Sequence, residues 1–82
     1  MRILIRNLNA HASENMLHNL FLKFGRVLNV KICTEFSGKP LGYGFIEMKE
    51  EIDGRRAINE LDRMNFMNQF LDIYEINNNK LI

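Results

Sequence analysis

Short alternations of apolar and polar residues run along this chain, broken by two stretches in which the apolar positions recur every three or four. Over residues 2–8, Ile3 and Ile5 fall on one side of an extended backbone and Leu4 and Arg6 on the other, which predicts a half-buried strand. Ser13 then offers a hydroxyl to cap a helix, and Glu14 places an anion in its first turn. Leu17, Leu20, Phe21 and Phe24 follow at helical spacing until Gly25 stops it. Period two returns over residues 27–34, with Val30 and Ile32 inward and Asn29, Lys31 and Cys33 outward. Residues 35–40 carry turn formers and predict a hairpin loop into a strand over residues 41–48. A second helix over residues 51–63 buries Gly54, Ala57, Ile58 and Leu61 and leaves Glu50, Arg55, Glu60 and Arg63 in water. Glycine costs about 1 kcal/mol inside a helix, so Gly54 predicts a close helix–sheet contact. After Phe66 and an Asn-Gln turn comes a last strand, residues 70–76. An unpaired buried carboxylate is expensive, so Asp72 fixes its parity: Leu71 and Ile73 face the core, Phe70 and Tyr74 the other side.

The order strand, helix, strand, strand, helix, strand predicts an α+β protein of the ferredoxin-like βαββαβ class, with a four-stranded antiparallel sheet and both helices on one face. Right-handed crossovers put the first and third strands in the centre. One domain is expected over residues 1–76, followed by a short polar tail over 77–82. The uncovered face then gathers Leu4, Arg6, Tyr43 and Phe45, with Lys31 and Tyr74 toward opposite edges. Two rings separated by glycines on an open face make a platform for a flat partner such as a nucleobase; ordinary cross-strand packing is the competing explanation.

Composition narrows the classes. Hydrophobic residues make up 46% of the chain and charged residues 26%, which fits a folded globular domain and excludes a disordered or collagen-like one. Eleven Lys and Arg against ten Asp and Glu give a net charge of only +1, so affinity for a polyanion has to come from local placement. One cysteine, Cys33, excludes an internal disulfide and any CxxC metal site, and no apolar run is long enough for a signal peptide or membrane span. A cytoplasmic location is therefore expected, with no metal, cofactor, membrane or small-molecule substrate. His11 and His18 lack a visible catalytic partner, which argues against an enzyme.

Two motifs extend this reading. Ile3-Leu4-Ile5-Arg6-Asn7-Leu8 and Leu41-Gly42-Tyr43-Gly44-Phe45-Ile46-Glu47-Met48 resemble the hexamer and octamer of the RNA-recognition motif (RRM) domains, the latter usually [KR]-G-[FY]-[GA]-[FY]-V-x-[FY]. Leu20-Phe21-Leu22-Lys23-Phe24-Gly25-Arg26 also resembles the family's first-helix ending. Without Arg-Gly repeats or a second module, the chain resembles compact, single-domain bacterial members. The resemblance implies that Tyr43 and Phe45 stack on nucleotides of single-stranded RNA, with single-stranded DNA left open. Leu4 stands where the family usually has a third ring, and Leu41 where it usually has a cation, so a lean, weak site is expected.

Further residues each have two readings. Arg6 and Lys31 either touch the nucleic acid or are solvated, Lys31 also guarding a sheet edge. Lys39, on the loop, either clamps a phosphate or is solvated, and Tyr74 either replaces the missing ring or packs across strands. Glu47 and Asp72 repel phosphate but accept hydrogen bonds from a cytosine amino group or a guanine edge. The alternative function is a protein-interaction or dimerisation module that receives a peptide or a second copy of the domain.

Overall fold

The computed structural model describes residues 1–77. Eight elements follow one another: β1 (Arg2–Arg6), α1 (Glu14–Leu22), β2 (Val27–Thr34), β3 (Pro40–Met48), α2 (Glu51–Leu61), β4 (Asn65–Phe66), β5 (Gln69–Phe70) and β6 (Asp72–Ile76). The main sheet runs β2-β3-β1-β6, antiparallel at each pairing, as the crossover rule requires, with β1 and β3 central. This is the ferredoxin-like fold with both helices against one face.

Alternation in the sequence decides which face that is. Ile3, Ile5, Ile46, Met48, Leu71 and Ile73 close over Leu17 and Phe21 of α1 and Ala57 and Leu61 of α2, and no polar residue is buried among the described residues. Ser13 caps α1, its Oγ accepting from the Met16 N–H at 3.1 Å. Gly54 meets the close approach expected of it, but from Met1, whose Sδ lies where a Cβ would be, not from the sheet backbone. Gly25 serves less as a helix stop than as space for the Asp53 carboxylate.

Three boundaries differ from expectation. β1 ends at Arg6 because Asn7 turns into the left-handed region (φ 63°), and α2 ends at Leu61, with Arg63 left-handed at φ 70°. The final strand is split. Met67 and Asn68, both left-handed, fold β4 and β5 into a separate two-stranded hairpin, so Phe70 pairs with Asn65 there and does not join the main sheet. The hairpin is tied to the chain after β1: Asn7 Nδ2 donates to the Phe70 carbonyl at 2.9 Å, Gln69 Nε2 to the Asn7 carbonyl at 3.0 Å and Asn9 Nδ2 to the Met67 carbonyl at 3.0 Å. The polar tail expected over 77–82 lies, beyond Asn77, outside the described residues.

Both sheet edges carry a carboxylate over a free backbone donor. Glu14 accepts from the Ile32 N–H of β2 at 3.0 Å, and Asp62 from the Ile73 N–H of β6 at 2.9 Å. Each satisfies a group that a further strand would need for pairing.

Candidate nucleic-acid interface

Strand register sorts the uncovered face into three cross-sheet rows. The middle row reads Lys31, Phe45, Leu4, Tyr74 from one edge to the other, each opposite the next. Above it Tyr43 faces Arg6, which faces Asp72; below it Asn29 faces Glu47, which faces Arg2. Directly opposed residues on one face lie close enough to act together.

β3 supplies the platform because Gly44 allows it. A Cβ there would lie 2.5 Å from the Lys31 carbonyl oxygen and 3.2 Å from Ile32 Cα, so β2 passes this close only over a glycine. Tyr43 and Phe45 are half-buried on the open side, their centroids 6.2 Å apart and their planes 88° apart. With Leu4 and Arg6 they line a depression of about 380 Å³. A second depression of about 460 Å³ lies on the other side of Phe45, lined by Arg2, Asn29, Lys31, Ile46 and Glu47.

The residues singled out from the sequence fall into two groups. Leu4, Arg6, Tyr43 and Phe45 share one hollow, Lys31 lines its neighbour, and Tyr74 stands beside Leu4, half exposed at 49%. Lys39 stands apart, exposed at the end of the β2–β3 loop, where its carbonyl accepts from the Glu35 N–H at 2.7 Å.

Asp72 is not a bare carboxylate. Arg63 Nη1 donates to its Oδ1 at 2.9 Å while the Arg63 side chain stays 75% exposed, so a second guanidinium stands near Arg6 and offsets the acid. Sequence periodicity missed this residue by placing Arg63 on the far side of a longer helix. Phe36, fully exposed on the β2–β3 loop, is a further unassigned ring; its position in a turn segment was the available signal. His18, on α1, is half-buried in a groove against β2. Neither it nor exposed His11 has a side-chain hydrogen bond among the described residues. Cys33 is a half-buried free thiol. No cluster of three or more His, Cys, Asp or Glu forms among the described residues, and none of their helices is long and apolar enough to cross a membrane.

A family model described as the RNA recognition motif matches residues 3–72, from the second residue of β1 to the first of β6. The chain belongs to the RNA recognition motif family. It is similar to the "Polyadenylate-binding protein, cytoplasmic and nuclear" of Eremothecium gossypii, 37% identical over 62 residues, and to "Polyadenylate-binding protein 2" of Arabidopsis thaliana, 34% identical over 62 residues. Each match covers 76% of this chain, which spans only 11% and 10% of those two eukaryotic proteins. Among solved structures, the crystal structure of "RNA Binding Protein PG1" superposes with a TM-score of 0.90 at 36% identity, covering 93% of both chains. The RRM fold is thus present, and Leu4, Leu41 and Met48 depart from the usual motifs.

Proposed function

We propose that residues 1–76 form a non-enzymatic module that binds single-stranded RNA on the open sheet face by aromatic stacking. The observation that carries it is the shared hollow of Tyr43, Phe45, Leu4 and Arg6. With their planes 88° apart the two rings do not form one continuous stack, so each serves a separate nucleotide. The Arg6 side chain forms no ion pair or hydrogen bond among the described residues, which leaves its guanidinium available to a phosphate or a base face. Lys31 supplies a second cation beside Phe45, Tyr74 extends the row past Leu4, and Lys39 reaches phosphate from the loop. Single-stranded DNA fits the same stacking and remains a weaker candidate ligand.

The carboxylates on Ile32 and Ile73 disfavour strand addition at either edge, which leaves a dimer or peptide partner the exposed helix surface or the open face, where it would compete with RNA. The curated relatives are much longer eukaryotic proteins, so neither a single-domain organisation nor a bacterial type has support from them. The printed name of the Eremothecium relative is compatible with a cytoplasmic location but names the nucleus as well.

The test is titration of a fluorescent seven-nucleotide RNA pool at two salt concentrations, with a DNA pool as control. Tyr43→Ala and Phe45→Ala should each lose most of the binding while keeping the parent's circular dichroism. Parent-like binding by both variants would overturn the reading.

A further inference from the structure

The hollow on the far side of Phe45 has a composition that the first lacks. Its floor is Phe45 and its wall is Glu47, a half-buried carboxylate that makes no hydrogen bond or ion pair among the described residues. Register places Asn29 directly across from Glu47 on one side and Arg2 on the other, with Lys31 one row above, beside Phe45. A carboxylate here repels the phosphate chain, so electrostatics alone would not place it on a strand-binding face. It becomes useful if a base edge enters with donors.

We infer that this hollow reads a guanine in the bound strand, an inference that rests on the RNA-binding proposal above. An ionised carboxylate only accepts hydrogen bonds, through two oxygens side by side. The Watson–Crick edge of guanine carries two adjacent donors, N1–H and the N2 amino group, that match this pair. Adenine and cytosine each carry a single amino donor next to a ring-nitrogen acceptor, and uracil has one imino donor between two carbonyls. Those acceptors would face the carboxylate unpaired and desolvated. The remaining guanine group, the O6 acceptor, meets the amide of Asn29 or the ammonium of Lys31, while the purine face lies on Phe45. Arg2 then faces the phosphate that the carboxylate would otherwise repel. A hollow of about 460 Å³ is within the usual range for small-ligand sites.

Four fluorescent heptaribonucleotides, uridine throughout except for a central G, A, C or U, separate the outcomes. The G strand should bind at least fivefold more tightly than the other three. Inosine at the centre, which lacks the N2 amino group, should lose most of that advantage with no change to the protein. Glu47→Gln should reduce the preference for G to under twofold, and a preference kept in full by this variant would overturn the inference. Equal binding of all four strands, a preference for A, or full retention of the preference by inosine would overturn the inference. If in those cases Phe45→Ala still abolished binding, the RNA-binding reading would stand on its own; if no strand bound, both would fall. Guanosine monophosphate alone should compete at least a hundredfold less well than the G strand, and equal competition would point to a free nucleotide and overturn strand reading.

Discussion

Leu4→Phe should tighten RNA binding, because Leu4 separates the two rings of the middle row, Phe45 and Tyr74. It lies opposite Phe45 on one side and Tyr74 on the other, and it lines the hollow shared with Tyr43 and Arg6. A ring at this position adds one stacking surface, worth about 1–3 kcal/mol per base. At about 1.4 kcal/mol per tenfold, that is roughly a 5- to 150-fold fall in Kd.

The fold should hardly notice. Leu4 points away from Ile3 and Ile5, which are 0% exposed, so the larger side chain enters open space and not the core. Cross-strand aromatic pairing with Phe45 and Tyr74 adds about 0.2–1 kcal/mol at most. Anisotropy titration with the RNA pool measures the affinity, and thermal denaturation checks the fold. Leu4→Ala, as a control, should weaken binding a few-fold through loss of the aliphatic contact. If Leu4→Phe bound no more tightly than the parent while Phe45→Ala still abolished binding, the row would not be the path of the bases, and the argument from register would fail.

Gly44→Ala should destabilise the domain by about 1–3 kcal/mol, since the new Cβ meets the backbone of Lys31 and Ile32 and not a side-chain end that could move. A fall in Tm of roughly 5–20 °C follows, and an unchanged melting curve would contradict the close approach of β2. Arg63→Ala removes an exposed ion pair and should change stability by less than about 1 kcal/mol. It also uncovers Asp72 beside Arg6, so RNA affinity should fall a few-fold and the slope of log Kd against log salt should flatten by about 0.7, the value for one single-strand phosphate. An unchanged slope would mean that Arg63 does not face the strand. Glu14→Ala leaves the Ile32 N–H without its acceptor and should cost about 0.5–1.5 kcal/mol in urea unfolding. No loss would show that water replaces Glu14 fully.

Period two carried most of the face assignment. Ile3 with Ile5, Ile46 with Met48 and Leu71 with Ile73 each forced one side of a strand inward, and that sufficed to place Tyr43, Phe45, Leu4, Arg6, Lys31 and Tyr74 on the other. The hairpin between α2 and β6 was not legible. A two-residue turn with both residues left-handed is usually announced by Asn-Gly or Asp-Gly, and here it is made by Met67 and Asn68. Its stability comes from Asn7, Asn9 and Gln69, contacts across some sixty residues that no local pattern contains. The ion pair of Arg63 with Asp72 was hidden for the same reason. It depends on a left-handed arginine just past a helix that ends two residues earlier than its periodicity suggests.

Net charge is a poor guide to the affinity of such a surface, because the cations are unevenly engaged. On α2, Arg55 is paired with Glu51 and Arg56 with Asp53, each at 3.4 Å and within one helical turn, and Arg56 also lies 6.0 Å over the ring of Phe24. On the open face Arg2, Arg6 and Lys31 have no ion pair among the described residues, and Arg63 offsets Asp72. Glu47 is then the one carboxylate of the three rows without a protein partner among the described residues. Salt screens charges beyond about 8–10 Å, so a strand lying on the sheet responds to this local surplus and not to the acidic residues of α2 behind it. A protein of net charge +1 can therefore present a local surplus of cations on one side, and on the proposed reading the single unpaired acid of the three rows among the described residues is where a base, and not a phosphate, sits.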